Sequence, residues 1–143
     1  DKKKTIHFQR NEVNKILTQR FNLPLERLSH KSYLNQLRNS KISIGAFGWG
    51  EICYREFEAI KMGAAIIFPN VDYIETWPNI YQDNFSYLSY KLDFSDLLEK
   101  IELLLDDSYL RAKIVENSQS ICKNVYLSEG FNYLLNFFSK ISK

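Results

Sequence analysis

Cysteine and histidine are scarce in this chain, and their scarcity closes off whole classes of chemistry. Two cysteines and two histidines stand among 143 residues. Cys53 and Cys122 lie far apart, too few for the disulfide framework of a small secreted domain and suited to a reducing compartment. A zinc site wants about four Cys/His ligands in close pairs, whereas His7 and His30 are scattered singly, so no metal is expected. Ser-His-Asp or Cys-His catalysis is disfavoured on the same ground, both histidines reading as residues that flank helices. Long apolar runs are missing too, and nothing approaches the roughly 20 residues of a membrane span. The basic start leads into Thr5-Ile6-His7-Phe8-Gln9-Arg10, with neither an apolar run nor a small-residue cleavage site, so no secretory leader is read there. A cytoplasmic compartment is the expectation. Also lacking is an excess of one charge. Nineteen basic against seventeen acidic side chains leave +2, which argues against a nucleic-acid partner, and the single basic run, Asp1-Lys2-Lys3-Lys4, reads as a solvated terminus.

What is present is enough apolar side chain, 45% of the residues, to bury one core without staples. Val13, Ile16, Leu17 and Phe21 repeat at helical spacing and predict a helix over 9–21 that ends at the Asn22-Leu23-Pro24 turn. Ser29 caps a second helix carrying Tyr33, Leu34 and Leu37, which stops at Asn39-Ser40. Residues 41–47 read as a strand, 51–62 as a helix closed by Gly63, and 64–69 as a buried strand. Strand, helix and apolar strand in under thirty residues make a βαβ unit, hence an α/β fold with a parallel sheet flanked by helices. An aromatic loop over 71–85 precedes a third strand over 87–90. Three amphipathic helices follow. The first carries Phe94, Leu97, Leu98, Ile101, Leu104 and Leu105 behind an Asp93 or Ser95 cap; the second begins near Ser108 and buries Leu110, Ile114, Ile121 and Val125; the last presents Phe131, Leu134, Leu135, Phe138 and Ile141. Three readable strands are fewer than the usual four to six, and the chain starts at Asp1 without a methionine, so a piece of a larger protein is expected.

Glycine is sparse as well, and three of the five glycines fall within Gly45-Ala46-Phe47-Gly48-Trp49-Gly50-Glu51, which runs off a strand into a helix. Ligands of open α/β sheets bind at that end of the strands. Glycines let the backbone approach an anion, and a helix N-terminus supplies unpaired N–H groups and about half a positive charge. A phosphate site is the natural reading. At 100° per residue Glu51, Arg55, Glu58 and Met62 share one stripe, with Cys53, Phe57 and Ile60 opposite, against the sheet. Glu51 and Glu58, roughly 10 Å apart along the axis, are too distant for glycosidase acid/base pairing. The spacing suits an elongated ligand instead: phosphates at the turn, Arg55 against their charge, and a ribose diol on Glu58. The competing reading is a solvated face with an i,i+4 pair from Glu51 to Arg55, worth a few tenths of a kcal/mol.

The stretch 40–69, with Gly48-Trp49-Gly50-Glu51, Tyr54-Arg55, Phe57-Glu58-Ala59 and Gly63-Ala64, resembles the donor-binding signature of group 1 type GT-B glycosyltransferases. The resemblance implies the C-terminal, Rossmann-like half of a two-domain enzyme. In it Gly48, Trp49, Gly50 and Tyr54 would lie against a nucleotide-diphosphate sugar, and Glu58 would bind the ribose. Glu51 and Arg55 would act on the sugar and the leaving diphosphate. Residues 27–34 are similar to the element whose backbone lies near the nucleobase, Glu75 falls at a short helix start, and 93–107 resembles an Asp-rich helix entry. Many relatives carry a first glutamate eight positions before the second; here Gly50 stands there, with Glu51 one step later. The resemblance further implies that the acceptor site lies in an N-terminal domain of the same enzyme, that no cofactor beyond the nucleotide sugar is needed, and that the chain alone transfers no sugar. It allows the full-length enzyme a peripheral position on a membrane. A dinucleotide-binding domain would need G-x-G-x-x-G, but Gly48-x-Gly50 is followed by Cys53. A nonenzymatic interaction module built on Tyr73, Trp77, Tyr81, Phe85 and Tyr87, or a degenerate nucleotide-binding domain, remains the alternative.

Overall fold

In the computed structural model, which describes residues 2–23, 28–48, 50 and 52–125, eight elements follow one another. They are α1 (Lys2–Phe21), α2 (His30–Arg38), β1 (Ile42–Ile44), α3 (Tyr54–Met62), β2 (Ala65–Pro69), β3 (Leu88–Tyr90), α4 (Leu97–Asp106) and α5 (Ser108–Asn124). The strands form one parallel sheet in the order β1-β2-β3, with Ile42 opposite Ala65 and Ile67 opposite Leu88. The α/β class and the parallel βαβ unit expected from the sequence are therefore present. Trp49, Glu51 and the apolar stripe over 131–141 lie outside the described residues.

Strand β2 is apolar at every position because it is covered on both faces. Its side chains alternate. Ala65 and Ile67 join Leu88, Tyr90, Leu97, Ile101, Leu104 and Ile114 in one cluster. Ile66 and Phe68 join Ala59, Ile60, Leu37 and Tyr87 in the other. Helices α2 and α3 thus cover one face and α1 and α4 the other. Helix α5 serves both, through Ile114 on the first cluster and Ile121 and Cys122 on the second. Ser29 caps α2 by accepting from the Ser32 N–H, Gly63 ends α3 in the left-handed region at φ 82°, and the Asp107 carboxylate caps α5 by accepting from the Leu110 N–H. No helix among the described residues is long and apolar enough to cross a membrane.

Several boundaries differ from the sequence reading. Helix α1 starts at Lys2 rather than Gln9, so the lysines read as a solvated terminus belong to a helix. Lysine has good helix propensity, and extending a helix anchored by the buried Val13 is far cheaper than nucleating one. Helix α3 starts at Tyr54, not Glu51, because Cys53 is extended at φ −133°. Helix α4 starts behind Asp96, since Phe94 takes φ 63° and the Asp93 carboxylate is drawn onto the Ser95 N–H in a tight turn. Glu75 is exposed in the loop between β2 and β3 and opens no helix. Within that loop the aromatics divide: Tyr81 and Tyr87 pack edge-on at 5.5 Å inside the second cluster, whereas Tyr73, Trp77 and Phe85 are exposed.

Candidate functional site

The glycine segment leaves the C-terminal end of β1 and is fixed from three directions. Gly45 donates its N–H to the Ile67 carbonyl at 2.8 Å, and its own carbonyl accepts the buried Tyr90 hydroxyl at 2.9 Å. A Cβ there would meet the Phe68 ring at 2.3 Å, so only glycine lets the strand end lie this close to the second cluster. One step on, the Ala46 carbonyl accepts from Arg55 Nη2 at 2.9 Å, and the Phe47 N–H donates to Gln9 Oε1 at 3.1 Å. The Gly48 N–H then donates to the Gly50 carbonyl at 3.2 Å. Helix α1, helix α3 and strand β3 each hold one residue of the turn.

Beneath the turn sits a carboxylate that the helical pattern did not single out. Glu56 is 2% exposed, and its Oε2 accepts from the Cys53 N–H at 3.2 Å, capping the start of α3. Burial pushes its carboxyl above the usual range, opposed by the charge of Arg55 and by the backbone N–H groups of Glu56 and Cys53. Beside it the Tyr81 hydroxyl is buried without a hydrogen-bond partner among the described residues; burial raises its pKa, and the Glu56 charge raises it further. The expected stripe is corrected accordingly. The buried side of α3 is Glu56, Ala59 and Ile60, Phe57 is half-buried, and Cys53 precedes the helix. Arg55 does not point into water: its Nη2 turns back onto Ala46 and toward the Cys53 sulfur at 3.8 Å. Ala59, three residues on and fully buried in the second cluster, lies on the same side of the helix as Glu56.

Glu58 occupies the outer flank, its side chain 28% exposed. Its Oε1 lies 2.9 Å from His30 Nε2 at the start of α2. Tyr33, one turn along α2, has its hydroxyl pKa raised by burial and then by the Glu58 charge, with Arg55 acting in the opposite direction. Glu58 and Tyr54 line a groove of about 730 Å³ that continues over Phe57 and Lys61 to Cys122 and Lys123 of α5. Tyr54 is 87% exposed, a large ring standing in solvent beside the groove.

Of the residues singled out in the sequence, Gly48, Gly50 and Arg55 lie at the turn, and Tyr54 and Glu58 on the groove. Trp49 and Glu51 lie outside the described residues. The sequence assigns no role at the turn to Gln9, Glu56 or Tyr90, while Tyr81 enters only as part of an aromatic interaction surface and His30 only within the element over 27–34. For Glu56 a signal existed: an acid three residues after a helix-starting Cys53 is a capping box with a thiol where serine or threonine is usual. For the others no local pattern exists, since Gln9 meets Phe47 across 38 positions and Tyr90 meets Gly45 across 45. Among the described residues no three His, Cys, Asp or Glu side chains gather as a metal site. No family model, curated protein or solved structure matches the chain.

Proposed function

We propose that this chain is the donor-binding module of a GT-B type glycosyltransferase, holding a nucleotide-diphosphate sugar along α3. The observation that carries the reading is the placement of Glu58. Its carboxylate stands at the edge of a groove, about one helical turn beyond the start of a helix that a glycine turn feeds from the end of a parallel strand. The groove itself is lined by residues of α3 and α5 and includes none of the glycine turn; what supports an elongated anion reaching from the turn toward Glu58 is that open α/β sheets bind ligands at this end of their strands. Gly48 and Gly50 let the backbone approach the diphosphate. Glu58 accepts the ribose hydroxyls through the oxygen that His30 does not hold. Tyr54 offers an exposed ring to the same ligand. Arg55 braces the turn and adds positive charge against the leaving diphosphate, and Glu51 contacts the sugar. The acceptor and the catalytic base belong to an N-terminal domain of the same enzyme, and the 143-residue chain alone transfers no sugar. A nonenzymatic interaction module is the second reading, favoured by the exposure of Tyr73, Trp77 and Phe85.

The deciding experiment is the Glu58→Gln substitution. Charge-assisted hydrogen bonds to a ribose diol are worth about 1.5–3 kcal/mol, so the affinity for a ribonucleoside diphosphate should fall roughly ten- to a hundredfold. The 2′-deoxy nucleotide should bind the native chain more weakly and be nearly indifferent to the substitution, because hydroxyl and acceptor form one interaction. Unchanged affinity for the ribonucleotide in Glu58→Gln would refute the assignment. An interaction module binds neither nucleotide.

A further inference from the structure

We infer that Arg10, on helix α1, donates directly to the negatively charged group of a ligand at the glycine turn, in addition to the charge that Arg55 contributes there. The inference rests on the donor-site reading and adds to it a residue far from the signature stretch. Arg10 is half-buried, yet its Nε is shielded from water and has no hydrogen-bond partner among the described residues. Its Nη2 stands 2.8 Å from the position a Cβ on Gly48 would occupy, so the guanidinium lies directly against the turn. The neighbouring Gln9 already holds the Phe47 N–H, which fixes this part of α1 to the same segment. Among the described residues no carboxylate pairs with Arg10.

A desolvated N–H without an acceptor is costly, and a bound ion or ligand is one of the explanations for keeping it. The alternative cation, Arg55, has its Nη2 on the Ala46 carbonyl. The buried Glu56 carboxyl lies by Gly45 and caps α3, whereas Arg10 lies by Gly48, so an anionic oxygen is favoured at the Gly48 end of the segment. A planar guanidinium beside a turn that lacks side chains matches a phosphate or diphosphate group, whose paired oxygens take two N–H groups at once. A side chain at Gly48 would push aside the Arg10 guanidinium, the movable end of a long side chain.

The test is calorimetric titration of the 143-residue chain with UDP, ADP and GDP, each against its own nucleoside, and with inorganic pyrophosphate. The native chain should prefer at least one diphosphate over its nucleoside. Arg10→Gln should lower diphosphate and pyrophosphate affinity roughly tenfold or more and leave nucleoside affinity unchanged. Arg10→Lys, which keeps the charge and loses the fork, should fall between them. Gly48→Ala should reproduce the loss by displacing the guanidinium, and the double variant should be no worse than either single one. A full diphosphate preference in Arg10→Gln overturns the inference while the donor-site reading stands. No diphosphate preference in the native chain overturns both. The remaining outcome is that Glu51, just past the turn, is Arg10's partner. Arg10→Gln and Glu51→Gln would then destabilise the fold non-additively with ligand preference unmoved, which also overturns the inference.

Discussion

Two acids two positions apart on α3 have opposite fates, and the difference comes from which side of the helix the sheet meets. Glu58 faces a groove and a histidine, whereas Glu56 is sealed under the turn. Burial holds the Glu56 carboxyl above its ordinary value near 4.5. A group whose folded-state pKa is raised contributes stability that is fully present below its unfolded pKa and is lost as pH rises through the folded value. The native chain should therefore gain stability relative to Glu56→Gln as pH falls from 7 toward 4.5. Urea midpoints of the two proteins at pH 7 and pH 5 measure this directly, and parallel shifts would show that Glu56 titrates as it does in the unfolded chain. The amino-acid pattern singles out Glu58 through its resemblance to a signature and passes over Glu56. A thiol in the capping position conceals the box, and a glutamate at a helix start reads as solvated unless the packing of Ala59 is known. His30 was read as a structural histidine; only the juxtaposition of α2 with α3 shows that it touches Glu58.

At the scale of elements, the strongly patterned pieces were legible. Strand β2, an unbroken apolar run ended by proline, and α5, introduced by an aspartate cap, begin within one residue of where their sequences place them. Elements whose ends depend on distant partners were not. Strand β1 stops at Ile44 because Ala46 and Phe47 turn away to meet Arg55 and Gln9, neither of which is near in sequence. The junction is sensitive to bulk. Phe68, fully buried, has Phe47 at 5.6 Å and Tyr81 at 5.3 Å between ring centroids, so it cannot swing aside for a methyl group on Gly45. Gly45→Ala should destabilise the fold by about 1–3 kcal/mol, the usual cost of overpacking a well-filled core. Denaturant unfolding reads that change, and a midpoint within error of the native chain would mean that β1 and β2 separate more readily than their register suggests.

For the whole molecule, two hydrophobic clusters on opposite faces of one narrow sheet give α/β layering that composition and periodicity foretold. The long α1 laid against the turn could not be foretold, because the tertiary contacts of Gln9 and Arg10 leave no periodic trace. Since the proposed ligand engages only the folded chain, saturation at about 100 times its dissociation constant should raise stability by roughly 2.7 kcal/mol, seen as a higher melting temperature with nucleoside diphosphate than with nucleoside. The hydroxyl of Tyr90 extends that linkage to a strand the ligand never touches. Because it is bonded to the Gly45 carbonyl, the end of β3 cannot open without releasing the turn, and the two share one local opening equilibrium. Hydrogen exchange should register this as mutual protection. Amides of Leu88 and Tyr90 should slow when the turn is occupied, by the same factor as those of the turn, and Tyr90→Phe should uncouple them, leaving the turn protected and β3 exchanging at its unliganded rate.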